Sequence, residues 1–303
     1  MLLIFKKKII NKIEMKIVNN SVEYIAQNHN TEAHIEYCAR VCYASLNNKK
    51  DYTQTSHQFC KGLFRHGHKS MFRHAGIYFM IPNKDVKDDV KYAIEEIPTT
   101  YLNVFIGEHY TFMSCNMQTV FDYIHLFDYL NKYQISYDEA RNIEEFYKHE
   151  LIYYTFIIKT GIDITRELNR KSPNAIAEQS TRYVDFTRKI GIQFKKCHWM
   201  FNTNIYRKLL YNIMCKIDEW FYKISRSKYG LNLKPEDARF CLFLDTMSTA
   251  VYTYTVNDWR HIINLRYFGS TGKPHPDAKA VISKVKEELE NCGYTFSYTK
   301  AND

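Results

Sequence analysis

The chain has 303 residues, which is long enough to bury one large hydrophobic core or two small ones. Its 45% hydrophobic and 25% charged residues are ordinary for a soluble globular protein. The formal net charge of +9 points to anionic partners, and because no long basic run or nucleic-acid motif is present, a small anion is favoured over DNA or RNA.

Cysteine usage and hydropathy indicate where the protein works. The 8 cysteines of so long a chain do not form the pattern of a disulfide framework, and no Cys-x-x-Cys pair suggests structural zinc. Cys38 and Cys42 are one helical turn apart and are expected to be reduced. No secretory signal or apolar run of spanning length is evident. We therefore expect a cytoplasmic protein without membrane contact, in the host cytoplasm if the source is viral.

The first half of the chain predicts helices, a strand and another helix. Thr31 can cap a helix over Glu32–Ser45, and Ser56 can cap a second helix that continues through Phe64. Residues 76–81 resemble a strand that ends at Pro82. Ser136 and Glu139 form a capping box, which predicts a long helix ending at Gly161 with an aromatic stripe for core packing at Tyr153, Tyr154 and Phe156.

The second half is also mainly helical. Apolar residues recur with the helical period from Ile205 to Ile224, and Gly230 is predicted to close that helix. Pro235 starts a further helix, residues 250–256 alternate like a strand, and a short helix follows over 258–265. An amphipathic helix over Pro276–Asn291 ends the series. Without repeats or linkers, the pattern predicts one mixed α+β domain with long helices.

The candidate ligand segment is residues 178–183, Glu-Gln-Ser-Thr-Arg-Tyr, preceded by residues 166–170, Arg-Glu-Leu-Asn-Arg. Arginine binds phosphate or carboxylate in a bidentate manner, Gln and Ser read donor and acceptor edges, and Glu accepts from an N–H or a sugar hydroxyl. A nucleoside monophosphate fits this set. The alternative from the segment alone is a charged surface loop.

These residues resemble the signature of the flavin-dependent thymidylate synthases, the ThyX or thymidylate-synthase-complementing family. That signature is Arg-His-Arg, seven residues and Ser, and here Arg170, Lys171 and Ser172 precede Ser180 at that spacing. Two further blocks are similar, one from His68 to His74 and one from Ala238 to Arg266. The resemblance covers about residues 15–284, and the stretch between His74 and Arg166 is longer than the family usually has.

The resemblance implies a ThyX-like fold whose active sites form between subunits, most simply in a homotetramer. It also implies that residues 15–303 are the catalytic domain and residues 1–14 an N-terminal extension. The implied reaction is reductive methylation of dUMP to dTMP, with methylenetetrahydrofolate as carbon donor and an FAD, reduced by NADPH, as hydride donor.

The implied roles follow residue by residue. Arg266 would stabilise charge on the pyrimidine edge, and Ser180 is the second candidate catalytic residue. Arg170, Arg182 and Arg239 would bind phosphate, with Arg239 reaching in from a neighbouring subunit. The full set of implied substrate-binding residues is Glu167, Arg170, Glu178, Gln179, Ser180, Arg182, Arg239 and Arg266.

The flavin side departs from the family pattern. Lys171 and Ser172 replace the His and second Arg of the signature, and Arg73 replaces a Glu. The implied cofactor-binding residues are His68, Ser70, Arg73, Lys171, Ser172, Asn257 and His261. Three interpretations stay open: a rebuilt flavin pocket that still makes dTMP, a related dUMP modification such as hydroxymethylation, or a nucleotide-binding homologue without turnover.

Histidines 57, 66, 68 and 74 are close in sequence and raise the question of a metal site. No carboxylate or Cys clearly completes the set, and the resemblance assigns His68 to the flavin. The sequence therefore predicts no metal.

Overall fold

The computed structural model describes residues 16–27, 29–46, 51–86, 88–187 and 191–298. The predicted N-terminal extension, residues 1–14, lies outside the described residues. The strands are β1 (Lys16–Val18), β2 (Ser21–Ile25), β3 (Gly76–Pro82), β4 (Leu102–Ile106), β5 (Tyr110–Asn116), β6 (Gln134–Ile135), β7 (Tyr153–Gly161), β8 (Ile176–Glu178), β9 (Gln193–Lys195) and β10 (Met247–Thr255).

The α-helices alternate irregularly with these strands, so the chain is mixed α+β. They are α1 (Thr31–Cys42), α2 (Ser56–Arg65), α3 (Asp88–Glu96), α4 (Met117–Asp122), α5 (Ile124–Phe127), α6 (Tyr137–Asn142), α7 (Glu144–Lys148), α8 (Ile162–Leu168), α9 (Ile205–Arg226), α10 (Pro235–Ala238), α11 (Val256–Ile263) and α12 (Pro276–Asn291). Among the described residues, no helix is long and apolar enough to span a membrane.

Two four-stranded sheets organise the fold. The first has the order β2-β7-β10-β8, and its long central strands β7 and β10 pair antiparallel from Met247 opposite Gly161 to Thr255 opposite Tyr153. Helices α11 and α12 pack against this sheet, and α1 packs against β8 and β10. The second sheet has the order β4-β5-β3-β6, and β1 pairs with β9 in parallel. The first sheet positions the candidate site, because α8 follows β7 directly and α11 follows β10.

Several predicted boundaries are confirmed and others are corrected. Helix α12 has the predicted limits, and the capping box of Ser136 and Glu139 is present. Helix α1 begins one residue earlier than predicted, because Asn30 and not Thr31 is the cap that accepts the amide proton of Ala33. It ends at Cys42 and does not reach Ser45. Thr55, not Ser56, is the N-cap residue of α2.

The predicted long helix from Ser136 to Gly161 is wrong. The capping box starts only the short helix α6, and after α7 the chain becomes the central strand β7. Apart from Thr155, the run from Leu151 to Ile158 is apolar, and it is rich in aromatic and β-branched side chains, which is typical of a strand buried on both faces. Tyr153, Tyr154 and Phe156 lie in the core as expected, but on a strand.

Helix α9 has the predicted period but an unexpected orientation. It packs on the protein through Tyr211, Cys215 and Tyr222. The exposed large hydrophobic side chains on this helix, here named the α9 stripe, are Ile205, Tyr206, Leu209, Leu210, Ile213, Met214, Ile217, Trp220 and Phe221. The helix ends at Arg226, and Gly230 lies in the following turn, where a Cβ would be 2.2 Å from the Ile224 carbonyl oxygen.

A chain of buried polar side chains crosses the first sheet. His74 contacts Thr253 at 2.9 Å, Thr253 contacts Thr155 at 2.9 Å, and Thr155 contacts His34 at 3.2 Å. Burial lowers the pKa of His34 to about 4, and burial, with the nearby His34, lowers the pKa of His74 to about 3. Both imidazoles are therefore neutral in the folded protein at neutral pH.

This burial predicts acid sensitivity. The unfolded chain binds protons on both histidines near pH 6.5, while the folded chain does not, so stability is full above pH 6.5 and falls as pH drops toward 4. The expected slope is about 1.4 kcal/mol per pH unit for each imidazole. Urea unfolding at several pH values measures it. His34→Gln should reduce the slope, whereas His125→Gln, at an exposed position of α5, should not. An unchanged slope in the His34 variant would contradict the assignment.

Candidate functional site

One cleft, here named the arginine cleft, gathers much of the predicted substrate set. Its volume is about 610 Å³, and it lies between α8, the segment after β8 and the chain after α10. The lining residues are Ile162, Thr165, Arg166, Glu178, Gln179, Ser180, Thr181, Arg182, Arg239, Phe240, Leu242 and Leu244. Thus five of the eight predicted substrate residues meet in one place, although two sequence-distant segments contribute them, residues 178–182 and Arg239.

Three guanidinium groups surround the arginine cleft. Arg166, Arg182 and Arg239 are all exposed. Arg182 forms a long ion pair with Glu236 at 3.4 Å, and within the described part of the chain Arg166 and Arg239 have no ion pair. Such groups are available to an anion, and a phosphate can accept from several of them at once. Arg239 lines the cleft of its own chain; its role in a neighbouring subunit stays a prediction.

Glu178 is held firmly at the floor of the cleft. Its Oε1 accepts from the hydroxyls of Thr165 at 2.8 Å and Ser248 at 2.9 Å, and its Oε2 accepts from the Asn169 amide at 2.9 Å. These bonds tie α8, β8 and β10 together. They leave Oε2 with room for one further donor, such as a sugar hydroxyl.

The next two residues are fixed through their backbones. The Gln179 amide donates to the Thr249 carbonyl at 2.8 Å, and the Ser180 amide donates to the Cys42 carbonyl at 3.0 Å. The Gln179 side chain is 6% exposed, and its Nε2 has no hydrogen-bond partner among the described residues. The Ser180 hydroxyl accepts from the Arg182 amide at 3.2 Å. The turn therefore presents a preorganised polar edge to the cleft.

Arg266 and the remaining substrate candidates lie in a smaller cavity of about 40 Å³. It is lined by Glu167, Leu168, Arg170, Lys171, His261, Ile262, Leu265 and Arg266. Arg266 lies on a π-helical turn (Asn264–Phe268) that continues α11. It donates to the Glu167 carbonyl at 3.0 Å and faces the Glu167 carboxylate at 3.7 Å. Helix α8 thus separates the two cavities, with residues 165–166 on one side and 167–168 on the other.

The predicted flavin-side residues do not meet in one cavity. Lys171 and His261 line the Arg266 cavity, where burial, with the charges of Lys171 and Arg266, lowers the pKa of His261. Arg73 lines a separate cleft of about 390 Å³, and Asn257 a third of about 520 Å³. His68 and Ser70 are exposed at the start of a 3₁₀ turn.

Arg73 and Lys171 are both engaged. Arg73 donates to the Gln118 side chain at 2.8 Å and to the Asn174 carbonyl at 2.8 Å. Lys171 pairs with Asp258 at 2.8 Å. Both cations therefore hold the loop that contains Ser172, and Arg73 additionally ties that loop to α4.

Sequence reasoning left Thr165 out of the site and gave Arg166 no assigned role. Arg166 lies on α8 and Arg170 just after it. Which cavity each guanidinium group faces depends on how α8 packs, and this cannot be predicted from their spacing in the sequence. Thr165 has no recognisable motif and is placed only by its bond to Glu178. Of the four clustered histidines, His74 is a core residue, His57 faces Glu32 at 3.2 Å and His66 contacts the Gly62 carbonyl at 2.7 Å.

Comparison with known proteins identifies the family to which the chain belongs. The family model described as thymidylate synthase complementing protein matches residues 23–85 and 145–292. The unmatched residues 86–144 build most of the second sheet, including β4, β5 and β6. No curated protein matches the sequence.

Similar solved structures include the UMP/dUMP methylase PolB from Streptomyces cacaoi bound with 5-Br dUMP. It is 14% identical, has a TM-score of 0.42, and the alignment covers 92% of this chain and 93% of that chain. Thymidylate Synthase X from Helicobacter pylori with FAD and dUMP is 15% identical, has a TM-score of 0.35, and the alignment covers 52% of this chain and 78% of that chain.

Proposed function

Because the chain belongs to the thymidylate synthase complementing protein family, we propose that it converts dUMP to dTMP by reductive methylation. The observation that carries the proposal is the arginine cleft, where Arg166, Arg182 and Arg239 surround one space beside the polar edge of Gln179 and Ser180. Three guanidinium groups suit a phosphate dianion, and the polar edge suits a sugar or a pyrimidine.

In this proposal the chain's own residues bind and polarise the nucleotide. The arginine cleft anchors the phosphate, and Glu178, already fixed by three donors, accepts from the sugar. Arg266 is oriented by its contacts with Glu167 and stabilises negative charge that develops on the pyrimidine carbonyl edge. Because α8 separates its cavity from the arginine cleft of the same chain, Arg266 acts in this proposal on a nucleotide whose phosphate is bound in the cleft of a neighbouring subunit. Arg170, which the resemblance assigned to the phosphate, lines the same small cavity as Arg266 and not the arginine cleft, so it adds positive charge beside Arg266.

FAD is the proposed cofactor, with NADPH and methylenetetrahydrofolate as co-substrates. The flavin would supply the hydride that completes the methyl group. Four of the candidate flavin residues line three separate cavities: Lys171 and His261 the first, Arg73 the second and Asn257 the third. Arg73 and Lys171 already have partners, so the described part of one chain offers no closed flavin pocket. The candidate flavin-binding residues therefore fit FAD only if the cofactor binds at an interface between subunits, along the loop that contains Lys171, Ser172 and Asn174.

The proposed assembly is a homotetramer, and the α9 stripe supports burial against further copies. Nine large hydrophobic side chains follow one face of a 22-residue helix, and Ile205 and Trp220 are 71% and 57% exposed. A continuous apolar face of this kind is typical of an interface between subunits.

The assembly gives a direct prediction. Leu209→Glu combined with Ile213→Glu should reduce the mass measured by size-exclusion chromatography with light scattering, because two buried carboxylates would face apolar surface. Lys228→Glu, in the exposed turn after α9, should leave the mass unchanged. A wild-type mass equal to one chain would contradict the proposed assembly.

Nucleotide binding gives a second prediction. Arg182→Ala should weaken dUMP binding by roughly 2–4 kcal/mol, as expected for a lost charge-assisted contact. Titration calorimetry measures the affinity, and Arg65→Ala, in the last turn of α2, is a matched control outside the cleft. Unchanged dUMP affinity in the Arg182 variant would contradict the phosphate assignment.

The proposed reaction is tested by spectrum and product. The purified protein should retain a visible flavin band after addition of FAD and dUMP and removal of free ligand. With NADPH and methylenetetrahydrofolate, mass spectrometry should show dTMP. Two alternatives remain as outcomes: a hydroxymethylated product would indicate the related modification, and dUMP binding without flavin retention would indicate a nucleotide-binding homologue.

A further inference from the structure

A second cluster of ligating side chains lies away from the two nucleotide cavities. His198 begins a short 3₁₀ turn (His198–Met200), and His275 and Asp277 stand at the start of α12. One ligand atom from each of the three side chains lies within 4.8 Å of the others. Asp277 is buried, His275 is half-buried, and His198 is exposed. The cluster therefore has an inner carboxylate and an open side toward solvent.

The distance between the ligand atoms of His198 and Asp277 matches the spacing of two ligands around a zinc ion. His198 Nδ1 is 3.4 Å from Asp277 Oδ2. Two ligands of a tetrahedral zinc ion with bonds of about 2.1 Å are about 3.4 Å apart, so an ion fits between these two atoms without moving them. The second carboxylate oxygen, Oδ1, accepts the His198 amide proton at 2.9 Å and fixes the orientation of the group.

The surrounding charges favour a cation. Lys195 is 1% exposed and lies 2.5 Å from Asp163, 3.4 Å from Asp245 and 3.1 Å from Asp277. Three carboxylates thus surround one ammonium, and His198 and His275 border this acidic cluster.

We propose that His198, His275 and Asp277 form a zinc site with water at the fourth position. Two imidazoles and one carboxylate are a ligand set that zinc takes in proteins, and a divalent cation suits a position beside this acidic cluster. This proposal departs from the expectation from sequence that the chain binds no metal. The inference does not rest on the proposed nucleotide chemistry, because none of the three ligands lines either nucleotide cavity.

Two existing contacts must change for the ion to bind. His275 Nδ1 accepts the Asp277 amide proton at 3.2 Å, a long capping bond that coordination through this atom would replace. Asp277 Oδ2 would be shared with Lys195, which keeps Asp163 and Asp245 as partners. The ion would join the turn at His198 to the start of α12.

The test is calorimetric titration of the chelator-treated full chain with zinc chloride, together with the visible spectrum after cobalt(II) addition. One equivalent of zinc should bind, and cobalt should give the absorption of a tetrahedral site. His198→Ala and His275→Ala should each weaken binding at least about tenfold. His125→Ala, an exposed histidine on α5, is the matched control and should bind zinc as the wild type does.

Two results would overturn the proposal. One is the absence of stoichiometric zinc binding in the wild-type chain. The other is binding that persists unchanged in the double variant of His198 and His275, which would show an adventitious surface ion only. Circular dichroism of each variant without metal separates a lost ligand from a lost fold.

Discussion

Replacement of Arg266 by Ala should reduce turnover of dUMP at least about 10²- to 10³-fold, the cost of removing a donor that stabilises charge in a transition state. Arg266 lies in the small cavity on the other side of α8 from the arginine cleft, where Arg166, Arg182 and Arg239 are proposed to bind the phosphate. The variant should therefore keep most of its dUMP affinity, so the loss should appear in kcat more than in KM.

The measurement is steady-state formation of dTMP together with dUMP titration calorimetry. Arg266 also contacts the Glu167 carbonyl, so a thermal unfolding curve must show that the variant folds. Arg266→Lys keeps the charge but not the planar fork and should recover only part of the rate. Arg65→Ala is the surface control. Normal turnover in Arg266→Ala would show that another group polarises the pyrimidine.

Replacement of Lys195 by Met should destabilise the fold by about 3–5 kcal/mol, the usual cost of removing one partner from a buried ion pair. The ammonium is surrounded by Asp163, Asp245 and Asp277, and the three carboxylates would face one another without it. Together they join α8, the loop before β10 and the start of α12.

Urea unfolding of the metal-free protein at neutral pH measures this effect. Lys228→Met, at an exposed turn after α9, is the control and should change stability by less than about 0.5 kcal/mol. Lowering the pH protonates carboxylates and should reduce the difference between Lys195→Met and wild type. Equal stability of the two proteins at neutral pH would show that the carboxylates find other compensation.

The two variants are expected to affect different properties: Arg266→Ala the rate of turnover, and Lys195→Met the stability of the fold. Arg266 lies on the π-helical turn after α11, against α8, in the cavity proposed to contact the pyrimidine, whereas Lys195 lies on β9 beside Asp277. Loss of turnover with full stability in the first, and loss of stability in the second, would separate the chemistry of the site from the framework that supports it.

The sequence by itself determined the local features of this protein. Caps and periodicity predicted α12 with its limits, the helical character of 205–224 and the strand at 76–81, because these signals lie within a few neighbouring residues. The spacing of Arg170, Ser180, Arg239 and Arg266 identified the family. Composition and turn signals were also enough for the mixed α+β class.

Only the tertiary structure decided how distant segments meet. The mainly apolar pattern of residues 151–158 is compatible with either a buried helix or a buried strand. Their pairing with β2 and β10 makes them a strand. Period alone identified a helix at α9 but could not reveal that its apolar stripe faces outward. The separation of Arg266 from Arg182, and the meeting of His198 with His275, depend on packing between elements far apart in the chain. A linear pattern has no information on those distances, because they are set by the sheet register and by the buried contacts of α8 and α12.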